Sequence, residues 1–285
     1  MGPSDAIAAG GAGRRGKPGL AVTQVLVPHV VPKPWGRQQL PAFLNVVQTE
    51  PVGEIHFDST DSIPEILLKY IFTSAKLSIQ VHPDDAMARA EGLPSGKDEC
   101  WLIIDADPDA EIGLGTKECL SDDELRSAAV GGSLESLLDW KPVKRGDFFY
   151  VPAGTLHAIG AGISLIEFQQ NSDVTYRLYD YGRARDLHVE QGVAAACAQP
   201  YCSSFASCVD METTAKLVDG PKFDLWHCVS WPPETLANDR TLLLALSGST
   251  TVNDHIMSVG ECVTTAHDSR ITIEPGSSVL VAQVR

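Results

Sequence analysis

The sequence contains no Cys-x-x-Cys pair, and its seven cysteines (Cys100, Cys119, Cys197, Cys202, Cys208, Cys228 and Cys262) are an odd number. This argues against both a thiolate zinc site and a disulfide framework, and a reducing cytoplasm suits it. No apolar stretch approaches the roughly 18 residues of a membrane-spanning helix. The opening segment MGPSDAIAAGGAGRRGKPGL also lacks the apolar run of a secretory signal, so 1–20 reads as a flexible tail. Basic residues are scarce, 22 Lys and Arg against 37 Asp and Glu, for a formal charge of -15 and a pI of about 4.8. Nucleic acid and anionic membrane are therefore poor partners. A small anionic substrate is not excluded, because a few cations focused in one cleft decide local binding. No repeat with a period of roughly 20 to 50 residues is visible.

What is present is a chain of 285 residues, 44% hydrophobic and 21% charged, long enough to bury a sizeable core. From Val22 onward, short runs of Val, Ile, Leu, Phe and Tyr alternate with Gly, Pro, Asn and Asp, which predicts an all-β fold. The clearest runs are 76–81, 100–105, 147–151, 162–169, 241–246 and 278–284. Ser121 followed by Glu124 is a capping box and predicts a short helix. A second is expected at 133–138, and together they make an insert at about 121–139. A third helix is predicted over 83–91, with Pro83 at its first position and Asp84 and Asp85 in its first turn. The division expected is a metal-binding unit at 21–190, a linker at 191–220 and a smaller β unit at 221–285.

The chemistry-bearing residues are concentrated in the first unit. Residues 146–157, GDFFYVPAGTLH, fit the pattern G-x5-P-x-G-x2-H of the second cupin motif. A strand enters a Pro/Gly turn and a return strand aims His157 inward. In 77–85, LSIQVHPDD, Gln80 and His82 share one face of a strand while Ile79 and Val81 take the other. Polar groups facing a barrel interior need a partner, and a metal ion supplies one. Glu99 stands at the mouth of the apolar strand that follows, with Lys97 on the same face. Gln80, His82, Glu99 and His157 form a mixed nitrogen and oxygen set suited to Zn²⁺ or another borderline divalent ion.

The strings KPWG (33–36), VGEIHF (52–57), LSIQVHPDD, GKDECW (96–101), RGDFFYVPAGTLHAIGAG (145–162) and IEFQQNSDVTYRLYDYGR (166–183) occur in the order of one family. Together they resemble type I mannose-6-phosphate isomerase in its short bacterial form. The resemblance implies a cupin jelly-roll barrel followed by a degenerate second cupin-like unit. It implies Gln80, His82, Glu99 and His157 as ligands of one zinc ion, Arg177 in the active site and Lys97 beside the glutamate ligand. The reaction implied is interconversion of mannose 6-phosphate and fructose 6-phosphate, a sugar-phosphate substrate. Lys97 and Arg177 are then the natural partners of substrate oxygens or phosphate, and Trp35 and Tyr176 are candidates for packing on sugar carbons. For the proton transfer between C1 and C2, Glu167, Asp173, Lys97 and a metal-held hydroxide all stand as candidates. Glu167 reads equally as a strand residue paired to a lysine, and Asp173 as a turn cap. Where longer members carry H-K-P-E, this chain has Gly96-Lys97-Asp98-Glu99. Two other readings are an oxygenase-type cupin with a two-histidine, one-carboxylate iron site, and a non-catalytic sugar-binding or regulatory cupin.

Overall fold

Two sandwiches stack on one another, so that central strands such as Ile66–Phe72, Ile163–Gln170 and Ser278–Val284 are buried along their whole length. The computed structural model describes residues 23–58, 63–231, 240–266 and 269–285, so the tail expected over 1–20 lies outside the described residues. The first sandwich opposes a seven-stranded and a five-stranded sheet. In spatial order the larger holds Ala206–Cys208, Asp147–Val151, Glu99–Ala106, Ile163–Gln170, Ile66–Phe72, Val52–Phe57 and Pro28–Arg37. The smaller holds Tyr176–Tyr179, Ile79–Val81, His157–Ile159, Glu111–Thr116 and Leu138–Pro142. A six-stranded and a three-stranded sheet make the second sandwich. The fold is cupin-like, with open sheets rather than a closed barrel.

The capping box forms as expected. Ser121 caps the helix Asp122–Gly131 reciprocally with Glu124, and Gly132 ends it in the left-handed conformation at φ 75°. This helix, Leu134–Leu137 and Val189–Ala195 cover the outer face of the five-stranded sheet, where Leu125, Ala129, Leu134 and Val193 pack on Ile79, Val81 and Leu178. The third predicted helix runs Asp85–Ala90, and the reading shifts by two residues at its start. Asp84 is the N-cap, accepting from the Met87 N–H, and Pro83 precedes it. The free hydrogen-bonding oxygen of Asp84 satisfies an orphan N–H, which Pro83 cannot do.

The segment 191–220, read as a linker, instead carries structure. It holds the end of the helix Val189–Ala195, the strand Ala206–Cys208 on the seven-stranded sheet and the strand Ala215–Asp219 on the six-stranded sheet. At the other end, Gln24–Val25 pairs with Cys262–Thr265 of the second sandwich. The units also share one core: Leu68, Tyr70, Phe72 and Phe168 of the first pack with Phe223, Leu242 and Leu280 of the second. Burial of each such side chain contributes about 1.5–3 kcal/mol. Separating the sandwiches would therefore sacrifice an amount comparable to the roughly 5–15 kcal/mol by which a whole domain is stable. Weak helical periodicity hid this packing, because a segment that crosses between sheets has no single face.

Candidate metal centre and its cleft

The inner faces of the first sandwich form a cleft of about 870 Å³. One wall is a row across the five-stranded sheet, where Gln80 stands opposite His157 on one side and Arg177 on the other. The facing wall is a row across the seven-stranded sheet in which Glu167 stands between Lys69 and Trp101, with Gln169 opposite Glu99. Strand alternation turns Ile79 and Val81 into the helix-covered core and Gln80 onto the cleft, while His82, just past the strand's end, is buried against Glu99.

His82, Glu99 and His157 are all buried, and one ligand atom from each lies within 4.8 Å of the others. His82 Nε2 is 3.6 Å and His157 Nε2 3.4 Å from the Glu99 carboxylate. Each ring is held from behind, His82 Nδ1 at 2.7 Å from the Val174 carbonyl and His157 Nδ1 at 2.9 Å from the Thr155 carbonyl. A carbonyl can only accept, so both Nδ1 atoms carry the proton and both Nε2 atoms are left as acceptors beside Glu99, His82 Nε2 3.4 Å from Lys97 Nζ and His157 Nε2 3.2 Å from the Gln80 amide nitrogen. That is the outer support metal-ligating imidazoles require. Trp101 packs edge-on against the His157 ring at 5.4 Å between centroids.

The donor set fits a divalent ion. Both Glu99 oxygens are buried without a hydrogen-bond partner, although the Lys97 ammonium stands 2.9 Å from one of them. Two imidazole nitrogens, a carboxylate and a neighbouring amide suit zinc or a similar metal. Gln80 places its amide nitrogen 3.2 Å from His157 Nε2 and its oxygen 3.1 Å from Ser78 Oγ. A half-turn of the amide, whose two ends have the same shape, presents the oxygen to the triad instead.

Burial pushes both imidazoles toward the neutral form, His157 down to about 4 and His82 well below its usual value, with Lys97 adding to both. Burial pushes the Glu99 carboxyl up from 4.5 to about 7 against the pull of Lys97. Burial also opposes the charge on Lys97, yet Glu99 and Glu167 outweigh it and raise Lys97 to about 12. Since the Glu99 pKa is raised, ionising it costs the metal-free fold stability as pH rises from about 4.5 through 7. Metal binding needs the carboxylate, so affinity is expected to climb over the same range and level off above it, with release of about one proton per ion near pH 6. Calorimetry in buffers of different ionisation enthalpy measures that proton. A release near zero at pH 6 would show that Glu99 is already ionised in the metal-free protein.

Of the other predicted residues, Arg177 lines the cleft, and its Nε is buried without a hydrogen-bond partner. Glu167 is buried and doubly engaged, accepting from Trp101 Nε1 at 3.0 Å and facing Lys69 Nζ at 3.7 Å. The paired-lysine reading of Glu167 is thus seen, and it coexists with a position on the cleft wall. Asp173 is exposed on the rim. Trp35 is 8% exposed and lines the cleft, packed with Ile71 and Trp101. Tyr176 does not: its ring belongs to the core under the helices, and its hydroxyl donates to Glu91. Alternation on its strand gives the cleft to Arg177 instead.

Sequence reasoning missed Lys33, Glu54, Lys69, Arg183 and Arg185, all of which line the cleft. Lys69 had a signal, being the lone charge in the otherwise apolar string ILLKYIF of Ile66–Phe72. Arg183 and Arg185 both ion-pair with the buried Asp180, at 2.7 and 2.6 Å, a contact no spacing rule announces. The glycine at position 96 has a steric reason, because a Cβ there would lie 2.5 Å from the Pro83 oxygen and the Asp84 carbonyl carbon. No side chain fits where longer members of the resembled family carry histidine.

No family model matches the chain. The chain is 43% identical over 185 residues to a mannose-6-phosphate isomerase of Streptococcus mutans, a match covering 61% of this chain and 57% of that protein. It is 47% identical over 135 residues to a mannose-6-phosphate isomerase of Bacillus subtilis, covering 45% of this chain and 42% of that one. The matched segments thus span about half the length of these curated relatives. The crystal structure of the mannose 6-phosphate isomerase from Bacillus subtilis superposes with a TM-score of 0.76 at 28% identity, over 91% of this chain and 98% of that one. Among the described residues no helix is long and apolar enough to cross a membrane. By sequence over 61% of its length and by fold over 91%, the chain is similar to mannose-6-phosphate isomerases, which bears out the resemblance carried by its motifs.

Proposed function

We propose that this chain is a metal-dependent aldose–ketose isomerase that interconverts mannose 6-phosphate and fructose 6-phosphate. The observation that carries the reading is the convergence of buried His82, Glu99 and His157, with both Nδ1 atoms anchored, one Glu99 oxygen on Lys97 and the other without a hydrogen-bond partner, beside a cation-lined cleft that Glu99 reaches. With Gln80 as the fourth ligand, the ion in our reading is zinc. When bound it supplies Lewis acidity toward the sugar's carbonyl and hydroxyl oxygens. Lys97, held against Glu99, offers its remaining N–H donors to the same oxygens. Arg177, with a desolvated and unpartnered Nε, is a fork ready for a substrate oxyanion or phosphate. Trp35 offers an apolar wall for sugar carbons.

For the proton shuttled between C1 and C2, Glu167 is the better aimed carboxylate. Trp101 and Lys69 fix its two oxygens in a buried site, whereas Asp173 is solvated on the rim. The oxygenase reading shares the two-histidine, one-carboxylate set, but the amide beside His157 and the ammonium on Glu99 favour the isomerase. Seven unpaired cysteines support a cytoplasmic setting, and the acidic balance supports a small-molecule partner rather than nucleic acid or membrane. The test is a coupled assay of mannose 6-phosphate conversion before and after chelation, with Zn²⁺ added back. Turnover that is lost and restored is the expected result, and turnover indifferent to the chelator refutes the metal's role.

A further inference from the structure

The metal ligands come from separate segments, and one buried carboxylate ties those segments together without itself facing the ion. Asp98 lies between Lys97 and Glu99, so strand alternation turns its side chain away from the cleft. It is 7% exposed. One carboxylate oxygen accepts from the Ala153 N–H at 2.9 Å and the other from the Tyr150 hydroxyl at 2.6 Å. Its own N–H donates to Gln170 Oε1 at 2.9 Å, and its carbonyl accepts from the Gln170 N–H at 2.9 Å. The Gln170 amide nitrogen continues to Asp85 at 3.1 Å, which also accepts from the Gly96 N–H at 2.9 Å and pairs with Lys222 of the second sandwich.

These bonds converge on the turn that aims His157. Gly154 adopts φ 86° there and donates its N–H to the His82 carbonyl at 2.8 Å, while Ala153 beside it hangs from Asp98. Lys97 donates its N–H to the Pro83 carbonyl at 3.1 Å. The backbones carrying His82, Glu99 and His157 are thus locked to one another, two of the connections being backbone to backbone, and Asp98 is the side chain that makes the third, between the Glu99 strand and the turn before His157. Metal ligation tolerates displacements of only about 0.2 Å, so the bonds that hold this turn bear directly on where His157 stands.

We propose that Asp98 is a positioning residue of the metal centre, and that the Gln170–Asp85–Lys222 chain carries support from the second sandwich into it. This rests on the reading of His82, Glu99 and His157 as metal ligands. The test is Zn²⁺ affinity of the full chain by competition with a chromogenic chelator. Asp98→Ala is expected to weaken it about 10- to 100-fold, the range seen when outer supports of metal ligands are removed. Tyr150→Phe keeps the carboxylate charge and removes one bond, so it is expected to weaken affinity by a smaller factor, which separates positioning from electrostatics. Gln283→Ala deletes a buried hydrogen bond to Thr241, 3.0 Å long and in the second sandwich, and is expected to leave affinity at the wild-type value. Folded Asp98→Ala with wild-type affinity overturns the proposal. Should Asp98→Ala not fold, wild-type affinity in Tyr150→Phe overturns it, as does an equal loss in Gln283→Ala, which would mark general destabilisation. A wild-type chain that binds no Zn²⁺ brings down the metal-centre reading and this proposal together. Binding by the wild type with no change in the variants brings down this proposal alone.

Discussion

His82→Ala and His157→Ala are expected to lose metal and turnover together. Each removes one of two imidazoles whose Nε2 atoms meet at Glu99, and each ring is held from behind by a backbone carbonyl rather than by solvent. A metal site with so few protein ligands depends on all of them, and loss of even an outer support costs about 10- to 100-fold in affinity, so loss of a ligand costs more. Neither change should unfold the chain. Each truncation removes a buried polar group whose desolvation was itself costly, which offsets part of the lost packing against Trp101 and the neighbouring imidazole. Metal content of the purified variants, read beside circular dichroism, measures this. Full occupancy in either variant would show that the site lies elsewhere.

Arg177→Lys is expected to keep fold and metal while losing most turnover. Lysine retains the charge but gives up the planar fork that can grip two oxygens at once. Arg177 is the cleft arginine whose Nε is buried and unpartnered, whereas Arg183 and Arg185 are committed to Asp180. An exposed arginine that merely balances surface acidity contributes roughly 0–1 kcal/mol, and its replacement would barely register. A charge-assisted hydrogen bond in a desolvated cleft contributes about 1.5–3 kcal/mol, roughly ten- to a hundredfold in rate. The two cases are far enough apart to decide. Steady-state kinetics on metal-loaded enzyme with mannose 6-phosphate varied also locate the contact. A fall in kcat places Arg177 at the reacting oxygens, and a rise in KM alone places it at the phosphate. Near wild-type kinetics would remove it from the site.

The acidic chain and its basic cleft illustrate why composition speaks to partners more than to sites. Lys33, Lys69, Lys97, Arg177, Arg183 and Arg185 all line one cavity in a protein of formal charge -15. Net charge sets solubility and long-range encounter, while the local field is set by which few residues the sheets bring together.

Much of the site was legible from the chain because its residues obey short-range rules. Gln80 and His82 share a face because strand side chains alternate. His157 follows a turn that demands a left-handed residue, met by Gly154 at φ 86°, and the helix at Asp122 starts where a capping box says it must. These rules act within a few residues, so the sequence by itself determined the β-rich class, the helical insert and the set of metal-ligand candidates. Tertiary structure alone decided the rest. That Glu167 meets Lys69, that Asp180 holds two arginines, and that residues 206–208 and 215–219 join different sheets depend on pairing between strands far apart in the chain. So does the core shared by the two sandwiches, which no local pattern announces, because burial is a property of the surface that a face meets and not of the face alone.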